Sequence, residues 1–412
     1  MSHFGVLGAG TAAANANNSF NLQPFKINLT SEISRTLDLV NNTRLPETAL
    51  YPTGQQKELQ LDFLLSLRSE WLTSFDWEVQ QAELNGFRQF TTVIEGLKIH
   101  FVHERSQDPN AIPLVLLHGW GGSFHEFSPV IKPLTKCSTA NSAGRNVSYH
   151  FVVPSLPGFT FSSPPPENWT NSDSARIFNT LMTEVLGYST YAVSGTDWGA
   201  AIAYDLYNSY NQTVRATHLA LLIFLPPTAE EIAEQNITLS EDEQVTERRT
   251  AAYFAFGQGY FQEHEFKARP QPDDIGLALY DNPVGQLAWI GSKFKLWRDP
   301  QLAGTPPSVL NNTAILTSVS LYYLTRSFLS SVWIYAQNAS PWRTDYTKAP
   351  TDAPLLFSEF KYNLALWPEE YVAKTGNLVF YKFHNFGGHF AGLDNPPALI
   401  EDIREMGVYF KA

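Results

Sequence analysis

The sequence predicts an α/β fold, a mostly parallel sheet interrupted by a helical segment, and three stretches of the chain carry that prediction. An apolar run, Ile112–Leu117, ends in His118-Gly119-Trp120-Gly121-Gly122. A second strand-like run, Tyr191–Ser194, turns through Gly195-Thr196-Asp197-Trp198-Gly199 straight into an alanine-rich, helix-prone stretch. A third, Asn377–Phe383, leads to Gly387-Gly388-His389 near the C-terminus. Strands that hand over to helices within a few residues are the mark of a parallel sheet with helices on its faces.

In chain order, residues 1–23 are small and polar and read as a disordered tail, and 24–90 as an N-terminal meander wrapping the core. Residues 91–227 form a first part of the core, ending at Pro226-Pro227; 228–345 form a mostly helical cap, opening at Thr228-Ala229; and 346–412 form a second part of the core, with His389. Acidic residues at the start of the cap (Glu230, Glu231, Glu241, Glu243) read as a solvated helix face.

The turn around Asp197 is where chemistry is expected. Small residues on both sides of a reactive one permit a sharp strand-to-helix elbow, because side chains there would collide. With a carboxylate at its apex the covalent intermediate is an alkyl ester, so the chemistry narrows to opening an epoxide or displacing a halide. The glycine-rich loop after Leu117 exposes backbone N–H groups. Those of Trp120 and Trp198, the residue after the nucleophile, are the expected oxyanion-hole donors. A late histidine, His389, completes the order nucleophile, acid, histidine and serves as base near neutral pH. His118, inside the turn, reads as a support for the loop.

These residues make the chain resemble the epoxide hydrolases of the microsomal and fungal type, from about Pro24 to the C-terminus. Pro24–Thr30, Leu61–Trp71, Phe75-Asp76-Trp77, Leu84-Asn85 with Phe90, and Gly96–His103 are similar to that family's N-terminal segment. The resemblance implies an α/β-hydrolase core with a helical cap and N-terminal meander, and cofactor-independent hydrolysis of an apolar aryl or alkyl epoxide by water. It implies that two cap tyrosines, Tyr260 and Tyr335, grip the epoxide oxygen; Tyr322 and Tyr323 lie close enough in sequence to compete for the second role. It places Asn363 where the family keeps the acid that orients the histidine. An amide cannot stabilise an imidazolium by charge and can hold the wrong tautomer. Either Glu359, on the same segment, takes the acid's role, or ester hydrolysis is slow. The alternative is therefore an α/β-hydrolase impaired in turnover and acting as a binding protein. Gly121 stands where the family usually has proline, which predicts a looser oxyanion loop. Dehalogenation is disfavoured, since halide release needs tryptophan N–H donors rather than a tyrosine pair.

Composition sets the outer bounds. With 412 residues, 43% of them hydrophobic, the chain can bury a large core and carry a cap. A net charge of −12 argues against nucleic acid or anionic membrane surfaces as partners. The single Cys137 excludes an internal disulfide and a cysteine-based metal site, and no metal or cofactor motif is present. No apolar run reaches the roughly 18 residues of a spanning helix. Compartment stays open between cytoplasm and secretion. No Lys or Arg precedes the weakly apolar Phe4–Ala14, yet nine Asn-x-Ser/Thr sequons, among them Asn28, Asn146 and Asn311, exceed chance expectation. Assembly is not fixed by the residues, a homodimer being one option.

Overall fold

The computed structural model describes residues 20–49, 61–136, 140–257, 272–338 and 342–411. Most of the expected tail, together with Cys137 and Tyr260, lies outside these residues.

The segment expected as an N-terminal meander carries helices as well as strand. A short strand β1 (Gln23–Phe25) precedes helices α1 (Ile33–Asn42), α2 (Leu61–Thr73) and α3 (Trp77–Leu84). Asp76 caps α3 by accepting from the N–H groups of Glu78 and Val79. A hairpin follows, β2 (Gln89–Ile94) and β3 (Leu97–Glu104), turning through Glu95 and Gly96 at φ 50° and 81°. Two left-handed residues give a turn whose twist matches that of the strands.

The core alternates strand and helix: β4 (Ile112–Leu117), α4 (Ser128–Thr135), β5 (Tyr149–Pro154), α5 (Asn171–Thr180), β6 (Tyr191–Gly195), α6 (Asp197–Ser209) and β7 (Val214–Leu219). Among the described residues, the helices that then intervene are α7 (Ala229–Glu234), α8 (Glu241–Ala252), α9 (Pro272–Leu279), α10 (Pro283–Trp297), α11 (Asn312–Leu324) and α12 (Phe328–Gln337). The chain returns through β8 (Pro354–Tyr362), α13 (Glu369–Val372), β9 (Asn377–Gly388), α14 (Ala391–Asp394) and α15 (Pro396–Tyr409). Two of the acidic residues expected on a solvated face have a sharper role. Glu231 and Glu243 close capping boxes with Thr228 and Ser240 at the starts of α7 and α8.

Among the described residues nine strands form one sheet in the order β1-β2-β3-β5-β4-β6-β7-β8-β9. Pairing is antiparallel from β1 to β5 and parallel from β5 to β9. Helices cover both faces, which is why β5 and β6 are buried at every position and read as continuous rather than alternating hydrophobic runs. Among the described residues no helix is long and apolar enough to cross a membrane.

Candidate active site

The site lies at the carboxyl ends of β4, β6, β8 and β9, where an open parallel sheet leaves a crevice for ligands. At the end of β6, Thr196 is extended (φ −125°), and Asp197, the first residue of α6, swings to φ +48°. A non-glycine residue in the left-handed region is uncommon and concentrates at functional sites. The glycines around it are required by contact. A Cβ on Gly195 would overlap the Gly199 carbonyl, one on Gly199 the Leu117 carbonyl, and one on Gly119 the Asp197 side chain. Strand, helix and loop thus close around one carboxylate.

The two oxygens of Asp197 face different partners. Oδ1 accepts the backbone N–H of Trp120 at 2.8 Å, and the Trp198 N–H also bonds the carboxylate. Oδ2 faces Nε2 of His389 at 3.3 Å, and the side chain keeps 18% exposure. Burial pushes the Asp197 pKa up, but His389 and the two N–H groups outweigh it and hold the carboxyl below its usual range.

His389 follows β9. Its backbone N–H donates to the Trp297 carbonyl at 2.8 Å, and its ring stands edge-on to Trp297 at 5.2 Å. Nδ1 lies 3.0 Å from Oδ1 of Asn363. The amide's orientation is fixed from two sides: Nδ2 donates to the Ala220 carbonyl at 2.8 Å, and Oδ1 accepts the Leu364 N–H at 2.8 Å. A carbonyl can only accept and an N–H can only donate. The oxygen therefore faces the imidazole and Nδ1 must carry a proton, which leaves Nε2, the nitrogen facing Asp197, as the one that can gain or give up a proton. The wrong-tautomer concern raised by an amide at this position does not apply.

Glu359 does not join this group. Fully buried on β8, its carboxyl accepts the N–H groups of Phe360 at 3.2 Å and Trp367 at 3.1 Å. Burial drives its pKa well above the usual carboxylate value. Its hydrogen bonds hold the turn after β8, and the expectation that it orients His389 is corrected.

The tyrosines separate by position. The Tyr335 ring stands edge-on to Trp198 at 5.0 Å and to Trp120 at 6.1 Å, the two residues whose N–H groups bond Asp197. Tyr323 is elsewhere, its hydroxyl donating to Asp281 at 3.0 Å and accepting from Arg35 at 3.1 Å. His118 accepts the Leu156 N–H through Nε2 at 3.2 Å, and burial pulls its pKa down to about 4, leaving it neutral. Gly121 adopts φ +82° and donates its N–H to the Tyr322 hydroxyl at 3.1 Å, so the loop expected to be loose is fastened.

One residue escaped the sequence reading. Glu126, in the helical turn Phe124–Phe127, is buried 3.5 Å from the Thr196 hydroxyl and bonds the Gly392 N–H. Burial first, then the Asp197 charge, raise its pKa to about 8. The only sequence signal was a carboxylate inside an apolar turn.

Residues 22–127 match the family model of the epoxide hydrolase N terminus, and 112–268 that of the alpha/beta hydrolase fold. A putative epoxide hydrolase of Stigmatella aurantiaca is 33% identical over 390 residues, covering 93% of this chain and 84% of that protein. Among solved structures, Aspergillus niger epoxide hydrolase superposes with a TM-score of 0.80 at 32% identity, covering 94% of this chain and 96% of that one. The juvenile hormone epoxide hydrolase of the silkworm Bombyx mori does so at 0.81 and 26% identity, covering 95% of each.

Proposed function

The chain belongs to the epoxide hydrolases, and on that premise we propose that it opens an epoxide to a vicinal diol through an ester on Asp197. Oδ2 attacks an epoxide carbon and forms the C–O bond while the ring C–O bond breaks. The departing alkoxide is a poor leaving group at neutral pH, and the hydroxyl of Tyr335, with that of Tyr260, supplies its proton. Water then gives a proton to Nε2 of His389 and attacks Cγ of the ester. Negative charge gathers on Oδ1, where the N–H groups of Trp120 and Trp198 hold it. Collapse breaks the Cγ–Oδ2 bond, the diol takes the proton from His389, and the Asp197 carboxylic acid left behind, carrying one oxygen from water, gives up its proton to restore the phenol that donated one at ring opening. The ring of Trp297 against His389 and that of Tyr335 against Trp198 put aromatic surface beside Asp197, which favours an apolar aryl or alkyl epoxide.

The observation that carries this reading is the double orientation of Asp197, with Oδ1 in the hole at 2.8 Å and Oδ2 beside the histidine at 3.3 Å. The test is a first turnover in H₂¹⁸O with enzyme in excess over styrene oxide. The label is expected in the Asp197 peptide and absent from the diol, and Asp197→Ala is expected to form no diol. Label entering the diol directly would point to attack of water on the epoxide instead.

The second reading, a binding protein impaired in turnover, rests on Asn363 alone. The tautomer its amide imposes supports hydrolysis, although without a charge to stabilise the imidazolium. We therefore take ester hydrolysis to be the slow step.

A further inference from the structure

Helix α11 is buried along nearly its whole length and carries Tyr322 beneath the loop that supplies the oxyanion hole. The phenol is fully buried, its ring 6.4 Å from that of Trp120 and 6.2 Å from that of Phe159. Its oxygen accepts the Gly121 N–H at 3.1 Å, and its O–H donates to the Gly122 carbonyl at 2.7 Å. These are the two residues that follow Trp120, whose own N–H bonds Asp197 Oδ1. Gly121 sits at φ +82°, which no proline adopts, and proline would have no N–H to offer. A single side chain on the inserted helices thus satisfies a donor and an acceptor of the loop and fixes the direction of the peptides after Trp120. Burial, with the charges of Asp197 and Glu126 nearby, keeps the phenol protonated.

We infer that Tyr322 is a positioning residue that ties the seating of the inserted helices to the oxyanion hole, and so supports ester hydrolysis more than alkylation. The inference rests on the two-step route through Asp197. The steps use the hole in opposite senses. During alkylation Oδ1 loses negative charge, so weaker hydrogen bonds there do not slow attack. During hydrolysis Oδ1 gains a full charge, so a misdirected Trp120 N–H raises the barrier. A residue that merely stabilised the fold would depress both steps together.

The test compares the wild type with Tyr322→Phe in single turnovers of styrene oxide, following the ester by intact mass and the diol by chromatography. Alkylation is expected to stay within about twofold, while ester decay slows by about 10- to 100-fold, a discount on the 10²–10³ reported for deleting an oxyanion donor outright. Equal losses in both steps, or no change in either, would overturn the inference. Phenylalanine leaves the Gly121 N–H and Gly122 carbonyl without this partner, so a second measurement uses the wild type alone. Its Gly121 amide is expected to exchange hydrogen as slowly as the amides of α11; exchange as fast as at exposed turns overturns the clamp. If the wild type forms no ester, the route through Asp197 has failed. If it does and Tyr322→Phe shows no split, only the role of Tyr322 has failed.

Discussion

At the scale of single residues, the fate of the histidine's partner turns on hydrogen-bond polarity. Asn363 points its oxygen to His389 because its amide nitrogen is claimed by the Ala220 carbonyl at 2.8 Å. Asn363→Asp would add the charge that an imidazolium lacks, but it would also set a carboxylate oxygen against that carbonyl. The loss of a buried donor costs about 1–3 kcal/mol. The serine-protease Asp-to-Asn example loses about 10⁴ in kcat through the wrong tautomer, and here the tautomer is already the productive one. Asn363→Asp is therefore expected to speed ester decay by only about tenfold while lowering the unfolding midpoint in urea. A gain of about 10³ or more would mean that the amide holds the imidazole wrongly. Glu359→Gln is expected to leave both chemical steps within about threefold, because its carboxyl bonds Phe360 and Trp367 rather than His389. Tyr335→Phe should slow alkylation by about 10²-fold, within the usual range for a general acid. Tyr323→Phe, at a site bonded to Asp281 and Arg35, should leave it unchanged. Comparable effects of the two tyrosine changes would misplace the epoxide oxygen.

At the scale of elements, contacts local in sequence were legible and long-range ones were not. The elbow announced itself because Gly195, Asp197 and Gly199 fall within five residues. The capping residues Thr228 and Ser240 also sit three positions from their glutamates, a local pattern that reading those glutamates as a solvated face passed over. Glu359 misled because nearness to Asn363 in sequence says nothing about which way a side chain leaves a strand. A polar chain buried across the sheet was equally hidden, since its members come from four strands and a helix. Ser194 on β6 bonds Nδ1 of His218 on β7 at 2.9 Å, and Nε2 of His218 bonds Ser358 on β8 at 2.7 Å. Ser358 donates to Asp402 of α15 at 2.6 Å, which also meets His384 of β9 at 2.5 Å. This chain links the strand three residues before Asp197 to β9, which leads to His389. Asp402→Ala is expected to cost on the order of 3 kcal/mol by denaturant unfolding, since it leaves the buried Ser358 and His384 without their shared partner. A loss below about 1 kcal/mol would make the chain incidental.

At the scale of the whole molecule, buried titratable groups set how stability follows pH. Burial holds His118, His125 and His218 at about 4 and His100 at about 3, against an ordinary 6.5. The unfolded chain takes up protons there that the folded one refuses, so stability is full above pH 6.5 and falls as pH drops toward about 4. Glu126 works in the other sense. Raised to about 8 from an ordinary 4.5, it favours the folded state below pH 4.5 and loses that contribution as pH rises through about 8. Glu126→Gln should then unfold at a higher temperature than the wild type near pH 8, with the difference shrinking toward pH 5; a difference that is constant with pH would contradict the assignment. The same molecule, taken intact, offers the most direct test of the route through Asp197. On the proposed route, in which ester hydrolysis is the slower step, wild-type protein mixed with excess styrene oxide and quenched in acid within one turnover should gain the mass of one epoxide. That mass should map to the peptide bearing Asp197, decay as diol appears, and be absent from Asp197→Ala. Diol formed at full rate with no adduct on the chain at any quench time would contradict the account.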